Sequence, residues 1–336
     1  MLAAVVVVAA LALVFDLSNG FHDSSNSIAA LVATHAARPR SALALAATFH
    51  LAGPLLGGVA VADTVGGVVR ARTDLVVPVV GAALTAGLLW NVLTWLRGLP
   101  SSSSHALVGG LVGATAAADG WHAVRWGGAD LVHPRGVGGI VIGLAVSPLL
   151  GLAAGWAVAR LLRQVLVRGR ARAARWVRRA EWLGAATLAF SHGSNDAQKT
   201  MGVLTLVLLA SGHLTSFVVP LWVVLAAAAA LTVGTAFGGW RIIRTVGRGI
   251  YRLQPVDGLA SQLSSAAVIL GAAQAGAPVS TTHVVSMSVV GVGAAQRVRH
   301  VHWDVVRAMA EAWLVTLPLS AALAALALPA WEVWAR

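Results

Sequence analysis

The sequence predicts an all-α membrane protein, a polytopic helical bundle of about 10–12 spans, and three observations carry this prediction. Hydrophobic residues make up 58% of the 336 residues, charged residues only 11%, and the mean hydropathy is +0.80. A soluble chain cannot cover its surface with so few charged groups. Roughly ten stretches approach the ~20 apolar residues that a helical span needs. They are continuously apolar, whereas barrel strands would alternate.

The third observation is an internal repeat of polar motifs inside apolar stretches. Asp23 aligns with Asp196 and Pro100 with Pro278, so the paired landmarks lie 77 residues apart in the first half and 82 in the second. Such repeats are typical of secondary transporters with broken or re-entrant helices. We therefore expect a break near Gly20 in the first long stretch and an interruption in its counterpart, 182–212.

Arginine placement predicts the domain organisation and the orientation. The predicted units are a first repeat at 1–160, an Arg-rich cytoplasmic linker at 161–181 and a second repeat at 182–336. Five spans per half is an odd number, so the two repeats have inverted topology and both termini lie outside. Four arginines then fall outside, and the terminal Arg336 is uninformative. The linker arginines are Arg160, Arg163, Arg168, Arg170, Arg172, Arg175, Arg178 and Arg179, and the outside ones are Arg70, Arg72, Arg125 and Arg135.

The remaining composition narrows the class further. The chain has no cysteine, which excludes disulfides, thiolate metal sites and cysteine nucleophiles. No basic residue precedes the first apolar run, so we interpret that run as a span and not as a signal peptide. The net charge of +12 fits arginines in membrane-flanking loops better than nucleic-acid binding.

The first pair of motifs predicts a charged site within the membrane. Asp23 and Asn26 share one face if a half-helix begins near residue 24, and a carboxylate in a span needs a cavity and a partner. Helix capping is the alternative for Asp23. In the second copy Asp196 precedes Lys199, the single lysine among 24 Lys and Arg residues. Lys199 suits an ion pair or an oxyanion, and snorkelling is its alternative.

The second pair of motifs supplies hydroxyl groups. Each Ser/Thr triplet follows a proline, which ends the preceding element and frees backbone N–H groups. A single Ser or Thr in a span usually bonds its own helix backbone, but two triplets between Pro and His favour an oxyanion site. The triplets are Ser102, Ser103 and Ser104 in the first half and Ser280, Thr281 and Thr282 in the second.

Charge then limits the mechanism. Two aspartates and one lysine leave a net charge of −1, and a doubly negative oxyanion would be repelled unless cations bind with it. H+ or Na+ is the predicted coupling cation, and a divalent metal such as Mg2+ carried with the substrate is the alternative. No cofactor is expected. The candidate coupling groups are Asp23, Asn26, Asp196, His22 and His192, of which Asp23 and Asp196 are also candidate ligands for Na+ or for the metal of a metal–oxyanion complex.

At these residues the chain resembles the inorganic phosphate transporter (PiT) family, particularly its bacterial low-affinity members. The resemblance rests on four motifs in order, which include residues 20–27, 190–199 and 278–283. It implies a phosphate symporter of inverted repeats that is driven by H+ or Na+, with a neutral metal–phosphate complex as the cargo of many bacterial members. It adds Asn195 and Gln198 to the binding positions. Many members have Asn where this chain has His22, and His at this position resembles the bacterial branch. The resemblance therefore implies a bacterial cell membrane, the inner membrane where there are two, as the location.

Several alternatives stay open. Hydroxyl and amide donors do not distinguish phosphate from sulfate, so a sulfate or other oxyanion permease is the nearest rival. An intramembrane hydrolase would use Ser104 and His105, but adjacent helical residues point about 100° apart. A passive channel would not need two charged half-sites. We predict a transporter and not an enzyme, with phosphate and the lipid bilayer as partners and no nucleic acid, and the sequence leaves a homodimer open.

Overall fold

We describe the protein from a computed structural model, which covers residues 2–127, 136–166 and 170–335. Arg135, Arg168 and Arg336, used in the orientation argument, lie outside the described residues. The described residues form twelve α-helices. These are α1 (Leu2–Ala33), α2 (Pro39–Leu56), α3 (Ala60–Gly66), α4 (Thr73–Arg97), α5 (Ser103–Asp119), α6 (Gly136–Leu166), α7 (Arg170–Ala210), α8 (Leu221–Phe237), α9 (Trp240–Arg244), α10 (Pro255–Gln274), α11 (Thr281–Gln296) and α12 (Trp303–Ala335).

The two long helices α1 and α7 run unbroken through the first pair of motifs, so the expected breaks near Gly20 and within 182–212 were wrong. The glycines of these motifs serve close packing. A Cβ on Gly20 would overlap the carbonyl oxygen of Leu231 in α8, and a Cβ on Gly193 would lie 2.8 Å from the carbonyl oxygen of His50 in α2. Small residues let helix backbones approach in this way.

Broken helices do occur, one helix later in each half. The α2–α3 pair bends by 77°, and the pair formed by α8 and Trp240–Gly249 bends by 64°. Five described helices are long and apolar enough to cross a membrane, or up to seven if each bent pair is one span. This is fewer than the ten apolar stretches of the sequence. One reason is that α5 and α11, with 17 and 16 residues, are shorter than the ~20 that a full crossing needs.

The Ser/Thr triplets begin helices, as the preceding prolines suggested. Ser102 caps α5, where its Oγ accepts a hydrogen bond from the His105 backbone N–H at 3.2 Å. Ser280 caps α11 in the same way, with the His283 backbone N–H at 3.3 Å. A helix N-terminus leaves N–H groups without intrahelical partners. Both triplets therefore place hydroxyls and free N–H groups at the start of a helix.

The last helix of each half packs against the motif helix of the other half. α6 lies along α11, and α12 lies along α5. The other strong contacts also come in equivalent pairs. α1 packs on α8 as α7 packs on α2, and α1 packs on α4 as α7 packs on α10. The Arg-rich segment 161–181 is helical where it is described, because α6 extends to Leu166 and α7 begins at Arg170.

Candidate functional site

The aspartate of the first half lies at a junction of three helices. Asp23 in α1 is 1% exposed. Its Oδ1 accepts a hydrogen bond from Thr282 Oγ1 at the start of α11, at 2.8 Å, and its Oδ2 accepts one from Ser103 Oγ at the start of α5, at 2.9 Å. Asn26 Nδ2 donates to Thr282 Oγ1 as well, at 3.0 Å. Asp23 thus joins the hydroxyl triplets of both halves, as the repeat predicted.

The aspartate of the second half lies in an equivalent place on α7. Asp196 is 1% exposed, and its Oδ2 accepts a hydrogen bond from Thr281 Oγ1 at 3.1 Å. His192 Nε2 lies 2.7 Å from the same oxygen, one turn earlier on the helix. Lys199 Nζ lies 2.5 Å from Asp196 Oδ1, one turn later. The Asp196 carboxylate is therefore held between two groups that can carry positive charge.

Lys199 is an internal cation, and the snorkelling alternative was wrong. Its side chain is 3% exposed. Besides the ion pair with Asp196, Nζ donates to Ser104 Oγ at 2.6 Å and to the carbonyl oxygen of Val279 at 3.1 Å. The three donors of the ammonium group are thereby all used. Lys199 thus links α7 to the first triplet and to the segment before the second.

Three predicted binding residues make contacts within the protein framework. Ser102 and Ser280 are the helix caps described above. Gln198 Oε1 accepts a hydrogen bond from the Val61 backbone N–H at 2.7 Å, and its Nε2 donates to the carbonyl oxygen of Ser194 at 2.7 Å. Gln198 therefore anchors α3 against α7. Direct phosphate contact by these three residues stays a prediction.

Asn195 is turned toward the segment that precedes the second triplet. Its Nδ2 donates to the carbonyl oxygen of Ala277 at 3.5 Å. The Oδ1 atom is buried and has no hydrogen-bond partner among the described residues. A buried acceptor without a donor is costly in an empty site, so Asn195 retains a free oxygen for a cation or for a protonated oxyanion.

The histidines beside the aspartates are fixed by neighbours that the sequence did not indicate. His22 Nδ1 lies 2.9 Å from Asp23 Oδ1, and its Nε2 lies 3.1 Å from Thr94 Oγ1. His192 Nδ1 lies 2.9 Å from Nε2 of His50 in α2. His50 was missed because a lone histidine in an apolar helix has no pattern around it. It is 0% exposed, and its Nδ1 contacts Thr235 Oγ1 at 2.7 Å.

The geometry argues against a Ser–His hydrolase. Ser104 Oγ accepts its hydrogen bond from Lys199, whereas His105 Nδ1 contacts Ser102 Oγ at 2.8 Å. The His105 ring faces the ring of His283 with centroids 4.6 Å apart, and the His283 ring lies 3.9 Å from that of Trp313. Ser104 and His105 thus have separate partners and do not form the nucleophile–base pair that such chemistry needs.

Two aspartates and a histidine form a set of groups suited to a cation. One ligand atom each from Asp23, His192 and Asp196 lies within 4.8 Å of the others, and all three residues are buried. With Lys199 charged and the histidines neutral, the two aspartates leave a net charge of −1. Carboxylate and hydroxyl oxygens are the ligands that hard cations prefer. Next to them the hydroxyls of Ser103, Ser104, Thr281 and Thr282 can turn toward an oxyanion.

Comparisons with known proteins show the family to which the chain belongs. The model of the phosphate transporter family matches residues 19–178 and 167–324, which together include all of the motifs. A probable low-affinity inorganic phosphate transporter of Mycobacterium bovis is 44% identical over 94% of this chain and 74% of its own length. One of Bacillus subtilis is 39% identical over 94% of this chain and 93% of its own.

A solved structure has the same fold. It is described as the sodium-dependent phosphate transporter, has a TM-score of 0.88 and is 23% identical, and the match covers 98% of this chain and 99% of that one. The predicted all-α membrane fold is thereby confirmed. The prediction of a transporter and not an enzyme is also confirmed, because the curated relatives are named as transporters. The chain is a multi-pass membrane protein, and it belongs to the phosphate transporter family.

Proposed function

We propose that the chain is a secondary active transporter that moves inorganic phosphate together with a cation across the bacterial cell membrane. One observation carries the proposal: two buried aspartates, one from each half, are joined through the hydroxyls of both triplets, and Lys199 lies beside them. Hydroxyls bind an oxyanion without adding charge, while Lys199 attracts it. The curated relatives are named as phosphate transporters, which supports phosphate as the substrate.

The requirement for a cation follows from charge. HPO4 with two negative charges would bring a site of net charge −1 to −3. In a buried site such like charges repel by several kcal/mol at an effective dielectric near 20. A cation bound by Asp23 and Asp196 removes this repulsion, and so does phosphate that arrives as a neutral complex with Mg2+ or another divalent metal. The cation is therefore part of the cargo and not a resident cofactor.

Alternating access by two inverted repeats, 1–160 and 182–336, is the proposed mechanism. The repeat is supported by the paired helix contacts and by the identical capping of α5 and α11. The burial of every predicted binding group supports a closed state between the two proposed openings. The arginine pattern supports a cytoplasmic segment 161–181 and outward termini.

Counterflow and uptake into liposomes that contain purified protein test the proposal. We expect labelled phosphate to accumulate against its gradient when an inward H+ or Na+ gradient is imposed, and Asp23→Asn and Asp196→Asn each to stop it. Asp304→Asn, an exposed position, is the matched control. Each cation is tested alone, with and without Mg2+. Uptake that ignores both gradients would contradict coupling, and equal accumulation of sulfate would contradict the substrate.

A further inference from the structure

A third buried carboxyl group, Asp16, lies on the same face of α1 as the site. Because α1 is continuous, residues Asp16, Asn19, Asp23 and Asn26 follow the three- and four-residue spacing of a single helix face. Asp16 lies seven residues before Asp23, about 10 Å along the helix axis. Asn19 connects the two levels, since Ser103 Oγ lies 2.8 Å from Asn19 Oδ1 and 2.9 Å from Asp23 Oδ2, and its single O–H can donate to either.

Asp16 is buried without an ionic partner of its own. The residue is 0% exposed. Within the described part of the chain, neither carboxyl oxygen has a hydrogen-bond partner, and neither does Thr200 Oγ1. The polar side chains that face the carboxyl are those of Thr200 and Asn19. Thr200 thus offers a hydroxyl that is free to pair with it.

The charges around Asp16 are nearly balanced without it. Among the described residues the charged groups that face it are Asp196 and Lys199, both in α7, and these two are paired with each other. The neighbouring helix α8 carries no titratable side chain, and α4 carries only Asp74 and Arg97, at its two ends. An ionised Asp16 would therefore add an uncompensated negative charge to a buried region.

A bound proton neutralises the Asp16 carboxylate with fewer ligands than a metal ion would need. A hard metal cation needs a cage of about six oxygens, whereas a protonated carboxyl needs one acceptor for its O–H. The free Thr200 Oγ1 is such an acceptor. A second carboxylate, Asp196, also faces this region, so a cation that pairs with Asp16 alone is not supplied by the protein.

We propose that Asp16 is a proton-binding residue of the transport cycle, separate from the Asp23 and Asp196 centre. In the proposed topology it lies on the extracellular side of that centre, because α1 begins outside. Its carboxylate takes a proton from outside water, and the resulting O–H donates to Thr200 Oγ1. The proton leaves to cytoplasmic water when the site opens inward with phosphate. This inference rests on the proposed phosphate transport.

The decisive variant is Asp16→Asn, which keeps the shape and the neutral charge of the protonated acid and cannot release a proton. Phosphate–phosphate exchange in liposomes, which needs no net proton movement, should stay at the wild-type rate. Accumulation driven by an inward pH gradient should fall, since each coupled proton contributes a factor of about ten per pH unit. We expect the protons taken up per phosphate, read with a pH-sensitive dye, to fall by one. Asp74→Asn, exposed in α4, is the control.

The outcomes separate this inference from the proposed function. Wild-type protein that fails to exchange phosphate would refute the function itself. If Asp16→Asn exchanges phosphate normally and keeps wild-type proton coupling, only the role of Asp16 is overturned. If the variant loses Na+ dependence and keeps proton coupling, the role of Asp16 in proton binding is also overturned, and Asp16 is assigned to Na+. If Asp16→Asn does not fold, infrared spectroscopy of Asp16→Glu replaces it. The C=O band of a protonated carboxyl group should then shift relative to wild type, and an unchanged band would overturn the proposal.

Discussion

Lys199 Nζ, in the second half of the chain, donates a hydrogen bond of 2.6 Å to Ser104 Oγ, in the first half. The same ammonium group pairs with Asp196 at 2.5 Å. One cation therefore holds an acidic group of one half and a hydroxyl triplet of the other. An oxyanion that enters here meets Lys199 and Ser104 together, which makes this pair the most direct place to test the site.

Lys199→Met should abolish phosphate binding and destabilise the protein by about 3–5 kcal/mol, because it removes the ion-pair partner of the buried Asp196 carboxylate. The double variant Lys199→Met/Asp196→Asn should regain most of the lost stability without regaining binding. Thermal unfolding in detergent and phosphate binding measure the two effects. Arg307→Met, at an exposed pair with Glu311, is the control. A Lys199→Met variant as stable as wild type would contradict a buried ion pair between Lys199 and Asp196.

Thr282→Val should weaken phosphate binding by about tenfold or more, since a hydrogen bond to a charged group contributes about 1.5–3 kcal/mol. Thr282 donates to Asp23 and accepts from Asn26, so the substitution also removes one hydrogen bond from each of them. Thr316→Val is a matched control, because buried Thr316 bonds only its own helix, to the Ala312 carbonyl oxygen at 2.7 Å. Equal losses in the two variants would mean that the hydroxyl acts through the fold alone.

Gly20→Ala should destabilise the protein by about 1–3 kcal/mol, because the added methyl group overlaps the α8 backbone at Leu231. The control is Gly271→Ala in α10, where an added Cβ meets nothing within 4 Å. That change should leave stability equal or raise it by about 0.5–1 kcal/mol through helix propensity. Thermal unfolding of the two variants is the measurement. A Gly20→Ala variant as stable as wild type would contradict the close packing at Gly20 and favour a helix break there.

The Glu181 carboxyl should give the folded protein a pH dependence that is independent of transport. It lies in the Arg-rich segment, before the apolar part of α7. Burial raises its pKa from 4.5 to about 8, while a hydrogen bond from Thr34 and the charge of Arg178 oppose the rise. The folded state therefore holds a proton that the unfolded state releases above pH 4.5. The stability from this proton is complete below that pH and is lost as the pH rises to 8.

Glu181→Gln should remove that loss, which is about 4–5 kcal/mol for a pKa that rises from 4.5 to about 8. The midpoint of thermal unfolding, measured between pH 5 and pH 8, should then change less with pH in this variant than in wild type. Glu311→Gln changes an exposed carboxylate that pairs with Arg307 and should retain the wild-type pH dependence. A Glu181→Gln profile parallel to wild type would show that this carboxyl is ionised throughout.

The sequence allowed the meeting of Asp23, Asp196 and Lys199 to be predicted, because the repeat itself carries that information. Asp23, Asp196 and Lys199 lie in aligned motifs, and a two-fold repeat brings aligned motifs together. His50 and Asp16 could not be assigned in this way. His50 stands alone in an apolar helix, and Asp16 lies four residues before Gly20, where a helix break was expected. Their roles depend on which helix packs against them, and this is a tertiary property.

Gly20 shows the same limit for the fold. In a sequence, a glycine among polar residues within an apolar stretch is typical of an interrupted helix. The structure keeps α1 whole, because the carbonyl oxygen of Leu231 occupies the space that a side chain would take. Local propensity and tertiary packing predict opposite outcomes here, and packing decides. The bends occur instead between α2 and α3 and after α8.

The last helix of each half packs on the other half, α6 against α11 and α12 against α5, so the chain cannot be divided into two complete halves. A fragment that ends at Leu166 would lack the helix that covers its own Ser/Thr triplet, and the complementary fragment from Arg170 would lack the cover for its triplet. Each fragment would expose a bare helix face, and each holds the piece that the other is missing. The two fragments should therefore be inactive when expressed separately, and they should complement each other when both are made in the same cell.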